Sequence, residues 1–127
     1  MEEKIKTVAI FMGLFQDDKG FWGFKNTPEY QRCHSDRIKD VYQYDRDWNL
    51  LMKVIEKITS ILMLDDNFKY NYLYIGYDFE DKEHYVNLYV SEDKQINGIS
   101  KTSKIEAVYE AVVKFINFYN KQKEEIN

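Results

Sequence analysis

The sequence predicts an α+β fold in which a small antiparallel sheet packs against two longer helices and a short N-terminal helix. Three observations lead there. The run SKIEAVYEAVVKFINFYN, Ser103 to Asn120, repeats its apolar residues with helical spacing, and YDRDWNLLMKVIEKITSILML does the same earlier in the chain. Between them lie KYNYLYIGY and HYVNLYVS, rich in Tyr, Val, Leu and Ile with polar residues interspersed, as in half-buried strands.

In chain order, the first element is a helix over about residues 3 to 12, with Ile5, Val8, Ala9 and Met12 on one face and Gly13 as its stop. Residues 14 to 44 carry no clear pattern. The second helix takes Asp45 or Asp47 as its cap and shows Trp48, Leu51, Met52, Ile55, Ile58 and Leu62 as an apolar stripe. Leu50, Val54 and Ile61 widen that stripe, which predicts a central helix covered on more than one side. The two Tyr-rich runs, joined through DFEDKE, form an antiparallel hairpin. A lone hairpin is only marginally stable, so a third strand is expected from residues 20 to 25 or 95 to 99. The last helix opens with a capping box, Ser103 and Glu106, whose side chains satisfy backbone N–H groups that a helix start leaves unpaired. Ile105, Val108, Val112, Phe115, Ile116 and Tyr119 follow on one stripe, and Ala107 and Ala111 offer a small surface beside it for close approach. The pattern ends at Asn120 and KQKEEIN. Burial of such a stripe contributes roughly 1.5–3 kcal/mol per large apolar side chain, so folding alone accounts for these residues.

At 127 residues, with one proline and no low-complexity tract, residues 1–127 form a single domain. With 44% hydrophobic and 17% aromatic residues the chain is too apolar for a disordered protein, although 31% is charged. Eighteen basic residues against 22 acidic give a net charge of -4, and the excess of acid falls in residues 65 to 127. Direct RNA contact is therefore not indicated by the charge balance, since nucleic-acid binders present a basic face. Cys33 is the only cysteine, which excludes an intramolecular disulfide and fits a reducing compartment. No run approaches the roughly 20 apolar residues of a membrane helix, and the N-terminus lacks signal-peptide character. A cytoplasmic protein with no membrane partner is expected.

Four groups of residues merit weighing as sites. Cys33 and His34 pair a thiol with an imidazole, but adjacent side chains rarely reach nucleophile–base geometry and no third orienting group is evident. One Cys and two His, His34 and His84, lack the number and spacing of a zinc site, so no metal or other cofactor is expected. Asp78, Glu80, Asp81 and Glu83 gather four carboxylates around Lys82 without the alternating ligands or turn glycine of a calcium loop. They read as a solvated hairpin tip, or as an acidic tip that inserts into a partner's basic groove. All three arginines, Arg32, Arg37 and Arg46, cluster with Lys39, Tyr30, Tyr42 and Tyr44. Arg and Tyr are enriched in binding hot spots, and they also stack on RNA. Asp36, Asp40 and Asp45 among them support local salt bridges equally well. No phosphate-binding, dinucleotide, nucleophile-elbow or zinc-hydrolase motif occurs.

VAIFMG, DWNLLMKVIEKI and SKIEAVYEAVVKFINFYN, about 36 of the 127 residues, resemble segments of a loose group of small, mostly uncharacterised phage and prophage proteins of Bacteroidota. That group reads W-x-W-L-M-x-V-V-E-K-I in the middle and S-K-I-E-A-V-Y-x-A-x-V-x-F-I-x-W-Y-N near the end. Leu50 stands in place of the second tryptophan, Lys53 in place of a common proline and Phe118 in place of the late tryptophan. The resemblance falls on the buried stripes and implies origin and fold, with no catalytic residue. Some phage proteins of this size inhibit host defence, anti-CRISPR proteins among them. By that analogy the expected function is a non-enzymatic inhibitor that binds a host defence protein or ribonucleoprotein, such as an RNA-guided CRISPR nuclease, in the host cytoplasm. The alternative is a sponge for a nucleotide immune signal, with a basic and aromatic pocket built around Arg32, Arg37 and the nearby tyrosines.

Overall fold

A computed structural model describes residues 2–64, 72–91 and 94–126. It has the α+β architecture, with two small antiparallel sheets in place of one.

Helix α1 (Glu2–Phe11) buries Ile5, Val8 and Ala9. It stops at Gly13, whose φ of +102° is costly for any residue with a Cβ. The Gly13 N–H donates to the Ile10 carbonyl at 3.0 Å and the Leu14 N–H to the Ala9 carbonyl at 2.9 Å, which closes the helix as a Schellman motif with Leu14 buried.

The patternless stretch from 14 to 44 contains the first sheet. Strands β1 (Phe15–Gln16), β2 (Phe21–Gly23) and β3 (Cys33–His34) pair antiparallel in that order. Asp17 organises the β1–β2 turn, accepting from the Phe21 N–H at 2.8 Å and the Lys19 N–H at 3.0 Å through Oδ1. Trp22 turns into the core, as do Ile38 from the one-turn helix α2 (Ile38–Val41) and Tyr44 just beyond it.

Asp47, one of the two expected caps, opens α3 (Trp48–Leu64) by accepting from the Asn49 N–H at 2.8 Å. The stripe that α3 buries is Leu51, Val54, Ile58 and Leu62. Trp48 and Met52, expected in that stripe, are exposed, because the helix is rotated so that Val54 rather than Met52 follows Leu51 into the core.

The second sheet has the order β4-β5-β6, formed by β4 (Tyr72–Asp78), β5 (Glu83–Tyr89) and β6 (Gln95–Ser100). The expected hairpin pairs from Tyr72↔Tyr89 to Asp78↔Glu83, and of the two candidate third strands it is residues 95–100 that join it. Residues 21–23 belong to the other sheet. Val86 and Leu88 on β5 and Ile96, Gly98 and Ser100 on β6 point to one buried face.

That face is covered by α4 (Lys104–Ile126), which packs on β5 and β6 and also touches α1 and α3. The last helix is therefore the central one, not α3. Val108, Val112, Phe115 and Ile116 are buried as expected, with Ile105 and Tyr119 packed at the margin. Phe11 meets Phe115 edge-on at 6.5 Å, and Phe115 stacks on Tyr119 at 5.9 Å. The helix continues past Asn120, because Lys121 to Glu125 are good helix formers that need no core to cover them.

The capping box is half realised. Ser103 Oγ accepts from the Glu106 N–H at 3.2 Å, but the Glu106 carboxylate takes the Thr102 hydroxyl at 2.7 Å instead of returning to Ser103. Buried Ser100 takes over that task, its Oγ accepting from the N–H groups of Thr102 at 3.1 Å and Ser103 at 3.2 Å.

Candidate interaction surfaces

The arginine and tyrosine segment does not form one surface. Arg32, immediately before β3, pairs with Asp17, Nη1 to Oδ2 at 3.1 Å, while its Nε donates to the Thr27 carbonyl at 3.2 Å. Its guanidinium also lies over the Phe15 ring at 4.9 Å. The carboxyl of Asp17 is held below its ordinary value first by the Phe21 N–H, with Arg32 and the Lys19 N–H adding to it against the opposing effect of burial. Arg32 is thus a structural ion-pair partner that ties the first sheet together, which removes it from the exposed interface expected of it.

Tyr44 is 2% exposed and likewise leaves the interface, since its ring stacks with half-buried Tyr42 at 6.3 Å against the core. Burial pushes the Tyr44 phenol up to about 12. Arg37 and Arg46 remain at the surface, beside Asp40 at 3.6 Å and Asp45 at 3.4 Å respectively, and such exposed pairs contribute little. Lys39 is exposed, and Tyr30 is 84% exposed. Tyr30 and Arg32 line an open depression of about 560 Å³ together with Lys19, Phe21 and Glu29. Both of its cations already have carboxylate partners, Lys19 with Glu29 at 2.6 Å and Arg32 with Asp17. Arg37 does not line it.

Cys33 and His34 are successive residues of a strand, so their side chains leave on opposite sides. Burial raises the Cys33 thiol, which disfavours the thiolate a nucleophile needs. His34 Nδ1 instead accepts from the Asp36 N–H at 3.2 Å. Among the described residues, no group of three or more His, Cys, Asp or Glu is placed to hold a metal ion. No helix among them is long and apolar enough to cross a membrane.

A second cleft, of about 320 Å³, lies where α1, α3 and α4 meet. Lys57 enters it and donates to the Phe11 carbonyl, satisfying an acceptor at the end of α1. Lys123 lies over the Tyr119 ring at 4.7 Å. The two cations are used to hold helix ends and rings together.

The β4–β5 tip combines charge with an aromatic anchor. Asp78 is consumed by the turn, its Oδ1 accepting from the N–H groups of Glu80 at 2.9 Å and Asp81 at 3.1 Å. Lys82 adopts a φ of +56° to bring the chain back. Glu83 lies 4.0 Å from Lys101, leaving Glu80 and Asp81 as the exposed carboxylates. Between Asp78 and Glu80 stands Phe79, 84% exposed, in edge contact with Tyr77 at 5.1 Å. Tyr77 in turn meets His84 at 4.8 Å.

Sequence reasoning passed over Phe79 because it weighed DFEDKE by its charges; a phenylalanine at a hairpin tip was the available signal. It also passed over the sheet face opposite α4. There Tyr74, 53% exposed, stacks on Tyr85 at 5.8 Å, and Ile99 is 52% exposed beside Asn97. The tyrosine hydrogen bond raises the Tyr85 phenol, with burial adding to it. The run Y-L-Y-I-G-Y is apolar or aromatic on both faces, so alternation does not say which face the helix covers. No protein-family model matches the chain, and neither does any curated protein or solved structure.

Proposed function

We propose that this chain is a non-enzymatic inhibitor of a host defence system, of phage origin, that binds a defence protein or ribonucleoprotein such as an RNA-guided CRISPR nuclease. Its origin rests on the resemblance of the α1, α3 and α4 segments to phage and prophage proteins. The mode of action rests on one observation, Phe79 held almost fully exposed beside Glu80 and Asp81 at the end of a regular hairpin. A large exposed aromatic on a rigid element is the kind of group that anchors an interface, and flanking carboxylates steer it toward a basic surface. RNA-guided nucleases hold their heteroduplex in such a positively charged channel. An acidic tip with an aromatic anchor competes for that channel without needing any chemistry of its own.

The test is protection of a targeted plasmid in a bacterial host with an active RNA-guided nuclease, alongside binding of the purified ribonucleoprotein. Expression of the chain is expected to restore transformation. Phe79→Ala, and separately Glu80→Lys with Asp81→Lys, are expected to lose protection while remaining folded. Failure of the parent chain to protect or to bind any such complex would sink this reading.

A further inference from the structure

The two edges of the second sheet are finished differently. On β6, the outward Ile99 N–H donates to Glu110 Oε2 of α4 at 3.1 Å, and Glu110 pairs with Lys114 at 3.0 Å. Burial pushes the Glu110 carboxyl up, but this N–H and Lys114 outweigh it and hold the group below its ordinary value, so it stays charged. A charged group seated on an edge donor is how sheets block further pairing. On the opposite edge, β4 runs seven residues in unbroken register with β5, without proline, and without charge until Asp78. No described residue bonds to its outer edge, and the side chains of Leu73, Ile75 and Tyr77 are exposed along it. The apolar surface continues onto α3, where Ile55 and Thr59 line a narrow cleft with Leu73. Exposed Trp48 and Met52 extend the same stripe of that helix.

We propose that β4 pairs antiparallel with β4 of a second copy of this chain, joining the two three-stranded sheets into one of six strands. A two-fold contact requires a surface that complements itself. With the axis at Ile75, that residue meets its own copy and Leu73 meets Tyr77, so the exposed apolar side chains cover one another. Asp78 falls opposite position 72 instead of another acid. No like charges are brought together, although each chain carries a net charge of -4. The other candidate occupant, an extended segment of a different protein, has no such reason to match this register. The inference stands apart from the inhibitory reading and is tested without any host component.

Sedimentation from about 1 to 100 µM, the range in which modest interfaces associate, is expected to show the 15.4 kDa chain converting to a species of twice that mass. Ile75→Lys, which sets two ammonium groups against each other at the axis, is expected to weaken that association about hundredfold or more. As a second readout, Ile75→Cys in a Cys33→Ser background is expected to form a disulfide-linked dimer on mild oxidation. Directly opposed antiparallel residues have Cα atoms about 4.5 or 5.5 Å apart, within disulfide range. Ile99→Cys in the same background, on the blocked edge, is expected to form no disulfide-linked dimer. A parent chain that is monomeric throughout the range overturns the proposal. So does a dimer that Ile75→Lys leaves intact and Ile75→Cys fails to link.

Discussion

Gly98 on β6 lies so close to Ala107 on α4 that a methyl group on the glycine would come within 1.9 Å of the Ala107 carbonyl oxygen. The same methyl would lie 2.8 Å from the Ala111 amide nitrogen. Both clashes are with backbone, which has no rotamer by which to give way. Ala107 and Ala111 form the small surface on α4 that admits the strand, and the missing side chain on Gly98 completes it. Gly98→Ala is therefore expected to cost at least about 2–3 kcal/mol, at the upper end of overpacking effects. Urea denaturation measures it, and an unchanged midpoint would mean that β6 lies farther from the helix.

The turn that links β6 to α4 gives a ranking. Ser103→Ala removes one cap and is expected to cost about 0.5–2 kcal/mol. Ser100→Ala leaves two partly buried N–H groups, those of Thr102 and Ser103, without their acceptor, at up to about 1–3 kcal/mol for each group so stranded. Denaturation of the two variants side by side should find Ser100→Ala the less stable; the reverse order would show that these N–H groups reach solvent.

Arg32 separates structural from surface arginines. Arg32→Ala breaks contacts to Asp17, Thr27 and the Phe15 ring, and should lower the melting temperature clearly more than Arg37→Ala or Arg46→Ala. Because the Asp17 carboxyl is depressed, its contribution is present above its unfolded value of 3.8 and is lost as pH falls below it. The gap between parent and Arg32→Ala should then narrow in acid. Equal melting temperatures for all three variants at neutral pH would refute the assignment.

Tyr44 predicts an alkaline limit. In the unfolded chain its phenol ionises near 10, whereas burial holds it up at about 12 in the fold. Stability is therefore undiminished below pH 10 and falls as pH rises from 10 to 12, by about 2–3 kcal/mol from this group at about 1.4 kcal/mol per unit. Tyr109, also pushed up by burial, keeps part of the decline. Chemical denaturation across that range should show a shallower fall for Tyr44→Phe than for the parent, and identical slopes would place Tyr44 at the surface.

What the sequence by itself determined was local. Gly13 as a stop, Asp45 or Asp47 as one cap and Ser103 as another, the stripe of α4 and the pairing of the Tyr-rich hairpin all depend on hydrogen bonds and periodicities that span a few residues. Those signals are written where they act. The tertiary structure decided everything that joins distant segments. It gave the third place in the sheet to residues 95–100, because Gly98 lets β6 reach α4, and it left residues 21–23 to a sheet of their own. It matched Arg32 with Asp17, fifteen residues away, although nearer acids at 36, 40 and 45 balanced the segment's composition equally well. It turned Tyr44 inward and Phe79 outward, a choice between residues of the same apolar character. It also set the rotation of α3 that exposes Trp48 and Met52, and gave the outer edge of β4 no bonding partner among the described residues. Side-chain pattern ranks which residues gain by burial; which of them find cover depends on the packing of elements far apart in the chain, and that competition has no local signature.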